Sequence, residues 1–600
     1  MEKCLFYAKN NDKFDRSKAG FFCNDSNKKS NIAHIASVNF DKELAPKKTF
    51  MERFSLCFFL MVSLLSITVN QLSAQTPKQI VVEHADFVDL NQNQIPDALL
   101  LTGNVRINHD GAIISCNKAY FFKKENYLKA FGEVQIVQGD TLFLNSKYAE
   151  YNGNIKFAFA TGDAEMHSPE MSLKTDTINF DRTKQEAFYR TNGLIINKDN
   201  ILKSKSGRYY IAQKKFQFLT AVTLTNPKYV IQSNHLDYYN NSGHSYLFGP
   251  STITGKDNFI YTENGFYNSK KNTGHFLQKS YIKYKDRVIT GDSLYYDRNR
   301  EFASATNHVK ITDSINKGIV KGNYAEIYKQ KDSVFVTKHA VAINLVEKDS
   351  VYIHGKILMV TGKPENRIIR AYKNARFFRI DMSGKCDSIH SSTKIALTKL
   401  IGNPVVWNAQ NQLTGNEIHL IGNNQTKKID SLKVLQNAFI ISKDTLGKGY
   451  NQVKGQNLYA KFLDNKLDHA DVIKNTEVIY YTYDKLELIG IEKKISSRIN
   501  LTFENNKIHT LTSFQNVESN TYPEKELPEN ARKLKGFLWR GDEQILCQDD
   551  IFPPDEIIAN DLVIKNRNIQ NAKPNLPMKV RKETKNYDRV NRKKKYKTKK

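Results

Sequence analysis

The sequence predicts an all-β fold built as a repeat array, and three observations carry that reading. A short phrase returns about every 30 residues: a small or polar anchor, an apolar residue three positions on, then a second apolar residue in alternation. The apolar residues inside each copy fall at period two, the pattern of a half-buried strand. No long stretch carries the i, i+3, i+4, i+7 stripe with caps that marks a helix. A fixed period of this size is the mark of stacked units, each of which buries its apolar face only against its neighbours.

The elements run in order from the N-terminus. Residues 1–50 are polar and without periodicity, and are expected to be a leader ahead of the true start at Met51. Residues 51–74 have the form of a signal peptide: Lys47, Lys48 and Arg53 flank an apolar run from Phe54 to Ile67, and Leu72-Ser-Ala74 precedes Gln75. The run is short for a membrane span. The array is expected over residues 75–520. Its anchors fall at Cys116, Asn145, Thr175, Ser206, Ser233, Glu263, Gly291, Gly322, Gly355, Cys386, Gly415 and Gly455, at gaps of 27 to 33 residues and one of 40. A second element follows each anchor, clearest as Gly132-Glu-Val-Gln-Ile136 and Gly162-Asp-Ala-Glu-Met166, with Gly103-Asn-Val-Arg-Ile107 as an opening copy. Turn residues such as Asn152-Gly-Asn154 separate the strands. Each unit is expected to be two long bent strands or three to four shorter ones. Six of the 14 prolines lie between Pro523 and Pro577, so 521–572 is expected to be a capping segment, in which Gly536 to Trp539 either docks on the last strand or caps the array. Residues 573–600 read as a basic, disordered tail, with twelve Lys or Arg from Lys579 onward.

Composition narrows the function classes. A net charge of +28 is partly local to the tail and partly spread over the strands, where it decorates a solvent face, discourages edge pairing and favours an anionic partner. Beyond the signal segment only Cys116, Cys386 and Cys547 remain, too few for a disulfide framework in an exported chain. The chain has no complete phosphate loop, no Gly-x-Ser-x-Gly elbow and no His-Glu-x-x-His. Asp89-x-Asn91-x-Asn93 starts like a calcium loop but has Gln94 where glycine is required and Leu100 where the bidentate glutamate belongs. The 14 histidines are scattered without metal-ligand spacing. No catalytic residue, metal or cofactor is therefore expected, and no nucleic-acid partner.

Leu101-Thr-Gly-Asn-Val-Arg-Ile107, Phe131-Gly-Glu-Val-Gln-Ile136 and Ala160-Thr-Gly-Asp-Ala-Glu-Met166 resemble the repeats of the OstA-like, or LptA-type, periplasmic domain, which also forms the N-terminal part of the outer-membrane protein LptD. The likeness is strongest over residues 80–250 and continues to about 515. It implies an elongated, open V-shaped β-jellyroll, here of about fourteen units. It also implies a periplasmic location near the inner or outer membrane. The apolar interior would shield the acyl chains of lipopolysaccharide on their way to the outer membrane. Implied partners are other jellyroll transport proteins stacked edge to edge and an outer-membrane translocon. The residues expected to line the groove are Val105, Ile107, Val134, Ile136 and Tyr148 early in the array. Ile178, Phe180, Tyr209, Leu236 and Phe266 follow, and then Leu294, Tyr296, Val309 and Ile311. Two rival readings of the same repeats are an exported structural or adhesive β-solenoid and a β-helix enzyme acting on acidic polysaccharide.

Overall fold

The computed structural model describes residues 78–556, apart from 91–94, 141, 170, 316, 347–348, 427 and 505–506. The expectations for residues 1–50, 51–74 and 573–600 lie outside the described residues. The chain divides into two units, one ending at Phe159 and one starting at Ala160. Both are all-β antiparallel meanders of jellyroll type.

In the first unit β1 (Val81–His84) and β2 (Phe87–Asp89) pair with β3 (Leu99–His109), and β4 (Ala112–Phe122), β5 (Tyr127–Gln138) and β6 (Leu142–Asn152) follow in sequence order. Each 30-residue unit is thus one hairpin of two long strands. Every long strand is bent at its middle. Between β4 and β5 the register jumps from Ser115 opposite Gln135 to Lys118 opposite Phe131. The jump falls at Gly132 and Glu133, which have φ of 72° and 47°. Gly103 and Asn104 do the same in β3, at 78° and 43°. A bulge of this kind bends the strand and re-aims it, and glycine takes the left-handed conformation without steric cost. The Gly-x-Val-x-Ile phrase is therefore the bend inside a strand, not the start of a separate one.

The chain leaves the first unit within β7 (Phe157–Ser168). In the second unit the bend recurs at Thr220–Ala221, Asn307–His308, Gln436–Asn437 and Lys474–Asn475, all at positive φ. In places it splits a strand in two. β8 (Met171–Asp181) pairs through Ser172 to Thr175 with Gly193–Asn197, and through Asn179 to Asp181 with Glu186–Tyr189. The bends divide each unit into an upper half-sheet, carrying Phe121 and Tyr151 in the first unit and Leu236 and Leu294 in the second, and a lower one, carrying Ile114 and Ile136 or Ile231 and Ile311.

The anchors gain a physical meaning at this hinge, where the two half-sheets meet and space is shortest. A Cβ on Gly322, Gly415 or Gly455 would lie 2.5, 2.2 or 2.5 Å from a valine methyl (Val336, Val434 and Val472). Elsewhere along the hinge a small polar side chain, at an anchor such as Ser233 or Cys386 or next to one at Thr262, caps a backbone carbonyl that the bulge leaves free. The Ser233 hydroxyl donates to the His235 carbonyl at 2.9 Å, Thr262 to Asn264 at 2.8 Å, and the Cys386 thiol to Ser388 at 3.1 Å. Hydroxyls also pair across strands, Ser233 with Ser251 at 2.8 Å and Thr476 with Ser496 at 2.7 Å. Buried polar groups along the hinge are satisfied in this way.

The last strand, Glu518–Tyr522, is followed by short 3-10 turns up to Ile551. Residues 536–539 of this segment pack on Tyr450, through Phe537 and Trp539, and not on the last strand. The segment runs back over the outer face of the lower half-sheet of the second unit. Leu527 and Leu534 join Phe439, Ile441, Ile479, Tyr481 and Ile491 in one apolar cluster, and Trp539 lies 5.2 Å from the ring of Tyr450. Gln452 and Gln412 each clasp the segment's backbone twice. Gln452 donates to the Arg532 carbonyl and accepts from the Leu534 amide, both at 2.8 Å. Gln412 donates to the Leu538 carbonyl at 2.7 Å and accepts from the Arg540 amide at 2.6 Å. Further on, Lys385 pairs with Glu543 at 2.5 Å, and Phe552 stacks on His339. The pairing of Gln452 with Ile441 and Ile479 places these residues on one side of the sheet, and Val453 on the other. Both faces are buried here, which explains why Ile479 and Gln452 are as enclosed as core residues.

Candidate functional site

The candidate site is the interior between the two half-sheets of each unit. In the first unit Ile107, Ile114, Ile136 and Leu144 stand opposite one another on four successive strands and form one inward row of the lower half-sheet. The upper half-sheet faces it with Leu101, Ala119, Ala130 and Ala149. The second unit continues the scheme: Leu224, Ile231 and Ile253 form one row below, and Phe218, Leu236 and Leu247 one above.

Twelve of the expected lining residues are buried on this inward face: Val105, Ile107, Val134, Ile136, Ile178, Phe180, Tyr209, Leu236, Leu294, Tyr296, Val309 and Ile311. Two are not. Tyr148 and Phe266 lie half-buried on the outer face. The Tyr148 hydroxyl donates to Glu150 at 2.5 Å, and its ring packs 4.8 Å from Phe131; Phe266 packs 5.2 Å from His275. The count runs three residues on from Asn145 and Glu263, but the enclosed hinge residues are Ser146 and Thr262, so it starts one place off, and Ala149 and Tyr267 take the inward places.

The interior is closely filled. Ile107, Ile178, Leu236 and Leu294 are all 0% exposed. The apolar gap between half-sheets lined by Val406, Leu413, Ile440, Leu432, Leu458 and Phe503 encloses about 60 Å³. A void of that size holds a water or two and no acyl chain. Access therefore requires the half-sheets to part.

Their free edges meet along a rim that the sequence did not reveal, since its partners lie on different turns tens of residues apart. In the first unit Lys156 pairs with Asp110 at 2.5 Å, and His109 contacts the Tyr151 hydroxyl at 2.6 Å and the Lys78 carbonyl at 2.8 Å. Lys156 and then Lys78 hold the Asp110 carboxyl well below the usual carboxylate range. In the second unit the rim contacts are Asn197 to Asn240 at 2.7 Å, Arg298 to the Lys228 carbonyl at 3.4 Å, Lys329 to Asp257 at 3.4 Å, and Arg367 to Asp313 at 2.8 Å. Each joins a turn of one half-sheet to a turn of the other. The interior is thus closed at the hinge by backbone and at the rim by polar side chains.

Among the described residues no three His, Cys, Asp or Glu side chains gather as a metal site, and no helix is long and apolar enough to cross a membrane. Burial pushes the thiols of Cys116 and Cys386 up to about 11 and about 12, which leaves both unreactive.

Residues 77–234 match the family model described as OstA-like protein. Among solved structures, the chain is similar to LptH of Pseudomonas aeruginosa, described as the LptA-homologous periplasmic component of a lipopolysaccharide transport device. That match has 12% identity and a TM-score of 0.19, and covers 24% of this chain and 95% of that one. No curated protein matches the sequence.

Proposed function

We propose, taking an OstA-like segment at residues 77–234 as the premise, that this chain is a periplasmic carrier which shields the acyl chains of lipopolysaccharide on their way to the outer membrane. The observation that carries the reading is the interior itself: facing apolar rows from two half-sheets, joined at a hinge and fastened at the rim by polar contacts. Such an interior can open on one side without breaking the backbone ladder. Acyl chains that enter it leave water, gaining about 0.8 kcal/mol per methylene. Rows of Ile, Leu, Val and Ala offer no single deep trap, so a chain can slide. Nothing in the rows supplies energy, and direction comes from partners. By the same resemblance those partners are other jellyroll transport proteins and an outer-membrane translocon. The exported location rests on the signal-like segment at residues 51–74.

The test places a photo-crosslinking residue at Ile136, which points inward, and a control at Gln135, which points out. Illumination in cells should give a lipopolysaccharide adduct at Ile136 and none at Gln135. Absence of an adduct at Ile136, Phe180 and Leu294 would favour the second reading, an exported structural β-solenoid. The close filling of the interior is the observation on that side.

A further inference from the structure

The rim of the second unit holds more cationic donors than its acceptors satisfy. Arg287 is 7% exposed, and its one ion-pair partner among the described residues, Asp332, lies at 3.9 Å, beyond hydrogen-bond distance. Arg367 is 3% exposed. It spends its Nη atoms on Asp313 and the Gly362 carbonyl, and among the described residues its buried Nε has no partner. Arg298 Nη2 is likewise buried and unpartnered. An orphaned buried acceptor lies beside Arg287, Asp286 Oδ2. Buried charged groups left this way are costly unless something completes them. Arg287 also faces an opening of about 420 Å³ where turns of the two half-sheets meet, lined by Tyr284, Lys285, Asp286, Asp332 and Lys363 among others. Lys285 and Lys363 are exposed at its mouth.

We infer that this opening is a binding site for a phosphorylated sugar, in which the phosphate takes the donors of Arg287, Lys285 and Lys363 and a sugar hydroxyl donates to Asp286 Oδ2. Guanidinium and phosphate match as a bidentate pair. Asp332 gives up no hydrogen bond to Arg287 when a phosphate arrives, because none is made at 3.9 Å. Burial, and then the nearby Arg367, push the Arg287 guanidinium downward, against the opposing pull of Asp313, Asp332 and Asp286. The site sits on the rim that must part for the interior to open. A phosphate drawn to Arg287, and from there toward Arg367, would compete with Asp313 and loosen one rung of the rim. A lipid bearing a phosphorylated sugar would then unlock the interior with its own headgroup. This last step rests on the carrier reading; the sugar-phosphate site does not.

Calorimetric titration of the full chain with glucose 1-phosphate and with inorganic phosphate tests the site. Crosslinking from Leu294 to phosphorylated and dephosphorylated lipid A tests its link to the interior. Lys285→Gln with Lys363→Gln is the main variant, because both side chains are exposed and the fold should tolerate it. Arg287→Gln is the second. Either should weaken glucose 1-phosphate about tenfold or more and lower the adduct with phosphorylated lipid A, leaving that with the dephosphorylated form unchanged. No binding of glucose 1-phosphate, or binding that neither variant weakens, overturns the site. Inorganic phosphate binding as tightly as the sugar phosphate overturns the sugar part and makes this a free-phosphate site. Absence of any lipid adduct, with sugar phosphate still bound and weakened by the variants, overturns the carrier reading and supports the site.

Discussion

At Gly415 a Cβ would sit 2.2 Å from a methyl of Val434, so the anchor leaves no room for even the smallest side chain. Gly415→Ala should destabilise the second unit by about 1–3 kcal/mol through overpacking. Val434→Ala in the same chain should return part of that loss, and a double-mutant cycle by denaturant unfolding measures the coupling. His354 makes a second residue-scale case. It is fully enclosed, with Nδ1 on the Ala340 carbonyl at 2.7 Å, and burial pushes its imidazole down to about 4. His339, Arg376, Asp555 and Glu556 surround it, and Glu556 is itself pushed up by burial. A histidine held neutral when folded takes up a proton more readily when unfolded. Its contribution is therefore complete above about 6.5 and is lost as pH falls through about 4. The loss is on the order of 3 kcal/mol. Protection of the Asp349–His354 strand amides, taken relative to their intrinsic exchange rates at each pH, should fall over that window, and His354→Gln should remove the dependence. Residues of the first kind were legible: a small anchor at fixed spacing is what a tight hinge selects. His354 was not, because the carboxylates that face it, Asp555 and Glu556, come from a segment about 200 residues further along the chain.

The bent hairpin is the element that repeats, and its central bulge explains both what sequence reading recovers and where it slips. Alternation within half a strand is faithful, so Ile136, Ile178 and Leu294 land inside as expected. A count across the bulge that starts one place off fails, as Tyr148 and Phe266 show, because Asn145 and Glu263 stand next to the enclosed hinge residues Ser146 and Thr262. The return segment could be seen ending the array through its prolines, but its path could not. What holds it are Gln452 and Gln412, polar residues in strands that read as ordinary outer-face positions. Gln452→Leu should free the segment, since it leaves the Arg532 carbonyl and Leu534 amide unpaired at about 1–3 kcal/mol for each buried group. Trp539→Ala should act in the same direction by stripping the ring from Tyr450. In both variants amide exchange should rise at Phe439, Ile441 and Ile479 and stay unchanged at the inward Val453. Equal protection at all four positions would mean that the segment contributes no cover.

An array of this kind need not unfold as one. Each hairpin touches mainly its neighbours, so stability is close to a sum of local terms, and two-state behaviour is not assured over several hundred residues. The chain carries its own reporters. Cys116 is buried at the hinge of the first unit and Cys386 at the hinge of the second, while Cys547 is partly exposed on the return segment. The two hinge thiols are high in pKa and enclosed, so they react only when their own stretch opens. With a thiol reagent at increasing denaturant and peptide-resolved mass spectrometry, Cys547 should label first. Cys116 and Cys386 should then label at separate denaturant midpoints, each matching the loss of strand signal from its own unit. Gly415→Ala, which strains the second unit alone, should lower the midpoint of Cys386 and leave that of Cys116 in place. If the two thiols instead label at one midpoint that shifts together in the variant, the array unfolds as a single cooperative body, and parting of the half-sheets in one stretch could not occur independently of the rest.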